Sequence, residues 1–333
     1  MGPHHLFESV PNFSEGTRAD VITELAGAAG RAHVIDVDAD ADHNRVVISV
    51  VGQTPQLLDA LVASVQVAIQ HVDLRAHRGV HPRVGAADVI PIVPLDGASL
   101  ADAHELALSL GDRVWNELRV PVYYYGHGEK HTLADIRAGR ARPSLGDELH
   151  PSAGAVCIGA RHPLVAFNVI LPGFQLLEAR ALARSLRESG GGLRGVQALV
   201  FELGDRRIQL SMNLFRLEET PPSAVIAELE RRGVSIGSQH VIGLCPAAVA
   251  NQAAAGRLLE ARLAAAVARR GGLNREATVL ARTGIDRDAL LAAANQSAAL
   301  IPVLVAAGVL GDDMRRMLEI AVRGLRSAAL RTD

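Results

Sequence analysis

Two cysteines, Cys157 and Cys245, are all that 333 residues carry. That is too few for a disulfide framework. Each falls in an apolar segment, where cysteine reads as a small buried hydrophobe, and such usage fits a reducing compartment. Aromatic residues make up only 3% of the chain, so the core has to be built from Ala, Val, Leu and Ile, for which a 49% hydrophobic content suffices. Charge of one sign is also missing. The 34 Lys and Arg face 36 Asp and Glu, a net charge of −2 that offers nucleic acid no basic field. No uninterrupted apolar run is long enough to span a bilayer. The start, MGPHHLFESV, resembles expression-tag residues and lacks the apolar core of a signal peptide. Leu6 stands where a myristoylation signal has Ser or Thr. The expectation is a soluble cytoplasmic protein of one large or two medium domains, with no membrane and no nucleic-acid partner.

Periodicity predicts strands at 6–10, 33–38, 45–51, 84–94 and 120–125, with helices at 18–29, 55–71 and 100–117 between them. Such alternation argues for an α/β or α+β layer structure. The segment 125–151, rich in Gly, His, Arg and Pro, reads as a functional loop with one short helix at 132–138. The second half begins with strands at 155–158 and 165–171. A helix at 176–189, strands at 196–203 and 208–214, a helix at 221–232 capped by Thr220 and a strand at 241–244 follow. That order is ferredoxin-like with an extra leading strand. Beyond Pro246 the chain is Ala-, Leu- and Arg-rich and predicts three or four helices, broken at Gly272 and Gly308.

The stretch HRGVHPRVGAADVIP, 77–91, is the most concentrated in chemistry. Pro82 bars His81 from a helix interior and favours extended backbone, while Gly79 and Gly85 permit turns. The apolar run that follows reads as a buried strand, so His81 is expected on a loop feeding a sheet, where catalytic groups tend to lie. Imidazole is the side chain best suited to moving protons near neutral pH. His77 and His81, like His127 and His131, have a four-residue spacing that would suit a metal on a helix. Gly79 and Pro82 oppose a helix, and no Glu–His pair or Cys cluster supplies further ligands, so no metal is expected. His33, His71 and His104 read as surface or packing residues.

Asp40 and Asp42 read as a solvated turn that lacks the glycine and distal glutamate of a calcium loop. Asp36 and Asp38 end an apolar strand, where a carboxylate can orient a histidine. Asn12 and Ser14 have two readings that remain open: Ser14 caps the helix near residue 18, or both line a cleft at a strand end. The glycines at 126–128 and 190–192 lack the spacing of a phosphate loop.

Seven stretches stand in family order: ESVPNFSEG (8–16), DVDADADHNRVV (36–47), HRGVHPRVGAADVIPIVP (77–94), VPVYYYG (120–126), HPSAGAVCIGARHPLVAFNVIL (150–171), QLSMNL (209–214) and GVSIGSQHVIGLCP (233–246). Together they resemble the glutamate formimidoyltransferase family, which also forms the front part of a bifunctional formimidoyltransferase-cyclodeaminase. The resemblance implies an α/β (α+β) fold of two ferredoxin-like sheet-and-helix subdomains, 6–150 and 151–250, with a cleft between them. A helical tail, 251–333, matches poorly and reads as a packing or dimerisation element. The implied reaction moves a formimidoyl group from N-formimidoyl-L-glutamate to tetrahydrofolate, a co-substrate, and needs no metal.

The family's catalytic histidine falls on His81 and its strand-end aspartate on Asp38. Its folate segment falls on Leu145, Gly146, Asp147, Glu148, Leu149, His150, Pro151, Ser152, Ala153 and Gly154. A histidine with a near-neutral pKa, oriented by a carboxylate, could both take and return the proton. Both substrates carry carboxylates, which Arg45, Arg83 and Arg161 are expected to clamp. Asn12, Ser14 and Asn44 complete the substrate-binding candidates. Two features depart from the family: the 127–149 region is shorter, and Ala153 stands where some members have an aromatic residue. A homodimer and a separate cyclodeaminase partner are the expected associations. A related folate formyltransferase and a non-catalytic folate- or glutamate-binding paralogue are the competing readings; the retained His81-Pro82-Arg83 with Asp38 favours catalysis.

Overall fold

The computed structural model describes residues 5–272, 280 and 283–332. The tag-like first four residues, and 273–279 and 281–282 of the expected tail, lie outside the described residues. The chain forms two compact units divided between His162 and Pro163, rather than at the boundary of 150 read from the sequence.

The first unit opens with one strand interrupted at Val10-Pro11, giving β1, Leu6–Ser9, and β2, Asn12–Phe13. There follow α1, Ala19–Ala29; β3, His33–Asp40; β4, Arg45–Gln53; α2, Thr54–His71; and β5, Ala87–Pro94. The antiparallel order is β3, β4, the β1–β2 strand, β5. In a βαββαβ chain that is the ferredoxin-like order. The unit continues through α3, Leu100–Arg113; β6, Val122–Gly126; α4, Leu133–Arg137; and β7, Val156–Ala160. β7 joins β5 in parallel, and β6 joins β7 in parallel. The sequence placed this strand at the head of the second half. Its wholly buried VCIGA run marks a strand covered on both faces, and such a run does not say which sheet takes it.

Period-two alternation sorts β4 between two faces. Val46, Ile48 and Val50 enter the core with Leu25 of α1, Leu57 and Leu61 of α2, and Leu106 and Leu110 of α3. The opposite face carries a row of paired residues, Asp38, Val47, Asn12, Val89, Cys157 and Tyr123. One end of this face is covered by α4, whose Ile136 packs with Val89, Tyr123, Tyr125 and Cys157. The candidate site forms on this face, beside that apolar cluster.

The second unit holds β8, Val165–Ile170; α5, Leu176–Leu186; β9, Val196–Glu202; β10, Ile208–Leu214; α6, Pro222–Arg231; and β11, Gln239–Ile242. The antiparallel order β11–β8–β10–β9 is again ferredoxin-like, with no extra strand. Pro221, not Thr220, stands at the N-cap of α6, and Thr220 is buried. Among the described residues three longer helices follow: α7, Leu259–Arg270; α8, Arg287–Ala306; and α9, Asp312–Ala329, which packs on both others. By length and mean hydropathy, 1.7, α8 could cross a bilayer, and a third of its apolar window is buried. The sequence showed no such run because Asn295 and Gln296 interrupt it.

Candidate active site

The loop between α2 and β5 carries His81, and three elements fix its course. The hairpin 150–154 is stitched to it: Leu74 N donates to Ser152 O at 2.8 Å, Ala86 N to Ala153 O at 2.9 Å, and Ala155 N to Val84 O at 3.1 Å. Only glycine fits at Gly85, where an added Cβ would lie 1.9 Å from Ala155 O. From β2, Ser14 Oγ donates to Gly85 O at 2.8 Å and Ser14 N to Ala86 O at 2.8 Å. Ser14 therefore ties strand to loop and does not cap α1; Glu15 accepts from Thr17 N and Arg18 N at that helix start. From the β3–β4 turn, Asn44 adopts φ +46°, accepts from Gly16 N at 2.9 Å and donates to Arg78 O at 2.8 Å. Asn44 and Ser14 are braces in this arrangement.

Arg83 is spent inside the loop. Its Nη2 donates to His81 O at 2.9 Å and to His43 O at 3.3 Å, and its Nη1 lies against the His77 ring, 2.7 Å from Nε2. It holds the backbone of His81 in place.

His81 Nδ1 lies 2.7 Å from Pro82 O. A carbonyl only accepts, so Nδ1 carries a proton, and in the neutral form of the ring Nε2 is the basic nitrogen. Arg45 Nη1 approaches Nδ1 to 3.5 Å. With a donor on each side, that approach contributes a field rather than a bond. Burial first, then the charges of Arg45 and Arg137, push the His81 pKa down to about 3 from 6.5. Burial and these charges act against the near-neutral pKa expected from the sequence.

Beneath the ring lies a cluster that sequence reasoning missed. Asp88, 0% exposed, accepts from Val84 N at 2.6 Å through Oδ1. Its Oδ2 accepts from Arg45 Nη1 at 2.7 Å and Arg137 Nη2 at 3.2 Å. Burial alone would raise this carboxyl; the two guanidiniums and the Val84 N–H reverse that and hold it below the usual carboxylate range. Arg45 Nε also donates to Asn12 Oδ1 at 2.9 Å, so two of the substrate-binding candidates meet here. One signal was present in the sequence: a lone charge inside the apolar run AADVIPIVP has to find a counter-charge.

Asp38 stands on the same face, two residues along β3 from Asp40, which faces Arg45. Arg161 lies at the other end of that face. Its N donates to Ile92 O at 3.1 Å, and its side chain hydrogen-bonds Tyr125, whose hydroxyl is pushed up to about 12, mainly by burial. The 145–154 stretch is divided. Leu145 pairs with Val122, and Gly146, at φ +82°, lies against Trp115. Asp147, Glu148, Leu149 and Pro151 are exposed. His150 Nδ1 accepts from Ala153 N at 3.0 Å and, more weakly, from Ser152 N; His150 and Gly154 exchange backbone bonds. Ala153 is only 2% exposed, too closely packed for the aromatic residue of other members.

Residues 6–161 match the family described as formiminotransferase domain, N-terminal subdomain, a span that ends at the division between the two units. A Streptococcus pyogenes serotype M1 protein named glutamate formimidoyltransferase is 34% identical over 267 residues, covering 73% of this chain and 89% of the relative. One of the same name from Thermoplasma acidophilum is 36% identical, covering 72% and 88%. The rat protein named formimidoyltransferase-cyclodeaminase is 35% identical over 72% of this chain and 50% of its own length. The fold and these likenesses define a group-transfer enzyme built on paired ferredoxin-like sheets. The chain belongs to the glutamate formimidoyltransferase family, and its chemistry is formimidoyl transfer.

Proposed function

We propose that the enzyme moves the formimidoyl group of N-formimidoyl-L-glutamate to N5 of tetrahydrofolate, releasing L-glutamate and 5-formimidoyltetrahydrofolate, a step of histidine degradation and one-carbon metabolism. The observation that carries this reading is His81, whose Nδ1 lies against Pro82 O beside the guanidiniums gathered on Asp88. N5 attacks the amidine carbon and a tetrahedral intermediate forms. Its proton passes to His81 Nε2, then to the glutamate nitrogen as the old C–N bond breaks. A substrate carboxylate settling against the guanidiniums offsets their share of the lowered proton affinity of His81, and so raises that affinity when the proton has to be held.

Asp38, on the same face, is the proposed partner of the charged ring. We assign the folate to the 145–154 hairpin because three backbone hydrogen bonds tie its 152–155 end to the His81 loop. Tetrahydrofolate is then a co-substrate, and the product would pass to a separate cyclodeaminase, the activity joined in the rat relative's name.

The test is direct assay of the purified protein with both substrates, acid conversion of the product to methenyltetrahydrofolate and detection by absorbance. His81→Ala is expected to lose roughly 10²- to 10⁴-fold in kcat. No product from the natural sequence, or full turnover in His81→Ala, would sink the assignment.

A further inference from the structure

Arg137 reaches the open sheet face from α4 and shares Asp88 Oδ2 with Arg45. Asp88 Oδ1 is taken by Val84 N, so both guanidiniums are gathered on a single oxygen atom. Two cations around one carboxylate leave a net charge of +1 in this group, beside His81. The Nε of Arg137 is buried and has no hydrogen-bond partner among the described residues. Arg45 engages Nε and Nη1, which leaves Nη2 without a partner among the described residues. Buried donors are almost always satisfied, and an unsatisfied one next to surplus positive charge calls for an anion.

We propose that Arg45 and Arg137, gathered by Asp88 as the positioning residue, form the subsite for the α-carboxylate of the amino-acid donor, and that Arg137 makes the enzyme select donors bearing that group. The proposal rests on the transfer reaction above and deepens it. Connectivity decides which carboxylate is meant. The leaving nitrogen is the α-nitrogen of glutamate, so a single carbon separates it from the α-carboxylate. Arg45 Nη1 lies 3.5 Å from the ring that must protonate that nitrogen. The donor's other carboxylate is two methylenes further away. The folate carboxylates lie beyond the p-aminobenzoyl ring from N5, out of reach of a group touching the base. A planar guanidinium fork matches a carboxylate in a way a lysine would not.

The experiment compares formimidoylglutamate with the formimidoyl derivative of 4-aminobutyrate, which lacks only the α-carboxylate, in the natural sequence and in Arg137→Gln. The natural sequence should prefer formimidoylglutamate in kcat/KM by on the order of 10- to 100-fold. In Arg137→Gln the KM for formimidoylglutamate should rise by that order, kcat/KM for the 4-aminobutyrate donor should fall far less, and the preference should collapse. An unchanged preference, or a rise confined to the KM for tetrahydrofolate, overturns the proposal. Arg137→Lys keeps the charge and the contact with Asp88, should fall between the two, and serves if the glutamine variant does not fold. Absence of any turnover by the natural sequence would refute the reaction instead. The subsite is then judged by calorimetry of L-glutamate against 4-aminobutyrate: a preference for glutamate that Arg137→Gln removes supports it, and no such preference overturns it.

Discussion

A buried carboxylate sits in each unit, and the two are held in opposite states. Asp88 keeps its charge because Arg45, Arg137 and Val84 N–H surround it. Glu260, 8% exposed in α7, accepts from Ala247 N at 2.9 Å and meets no Arg within ion-pair distance among the described residues. Burial pushes its carboxyl up. Gly324 of α9 passes so close that an added Cβ would lie 2.5 Å from Glu260 Cγ, so the side chain is wedged between helices. Equal burial gives opposite protonation tendencies because neighbouring cations, not depth, decide whether desolvation is repaid. The carboxylate with a surplus of cations lies beside His81; the one without any is a packing element.

The contrast breaks most visibly at Asp88. Asp88→Ala leaves two guanidiniums side by side without their counter-ion and should cost about 3–5 kcal/mol of stability. Chemical denaturation measures this, and a variant as stable as the natural sequence would refute the ionic role of Asp88. Asp88→Asn keeps an acceptor for Val84 N and should lose less.

Next in size is a pH effect. His81 has a folded pKa of about 3, below its ordinary 6.5. As pH falls from 6.5, the unfolded ring takes a proton first, so this group's contribution to stability is present above pH 6.5 and is progressively lost on the way down to 3. His81→Asn should flatten that part of the stability curve. Parallel curves for the two proteins would show that the ring is not held neutral.

The smallest effect is expected at Glu260. Its folded pKa is raised, so above the ordinary 4.5 the folded state resists ionising and this group subtracts stability at neutral pH. Glu260→Gln keeps an acceptor for Ala247 N and should raise the melting temperature at pH 7, by no more than about 1 kcal/mol equivalent, with the gain shrinking towards pH 4. A large loss at pH 7 would show that the carboxylate is charged and paired after all.

The legible parts of the chain were those whose signal is local. The period-two pattern of Val46, Ile48 and Val50 and the helical spacing of Leu57, Leu61 and Val65 place β4 and α2 without any tertiary knowledge. Pro82 and the flanking glycines put His81 on a loop, and the family resemblance put chemistry there. Asn12 and Arg45 do meet. Ser14 ties the end of β2 to the loop and Arg83 braces it from within, contacts that sequence could not show because their partners, Gly85 O and the His81 and His77 groups, are set by how the chain doubles back.

By itself, then, the sequence determined the alternation of strands and helices, which rests on near-neighbour spacing, and the family, which rests on ordered motifs and implies a ferredoxin-like order in each half. Only the tertiary structure decided that β7 completes the first sheet, that Asp88 joins Arg45 of β4 to Arg137 of α4, and that His81 lies among groups that lower its proton affinity. A run such as VCIGA is apolar whichever sheet receives it, and a histidine's proton affinity depends on charges that lie far along the chain and meet it only through folding.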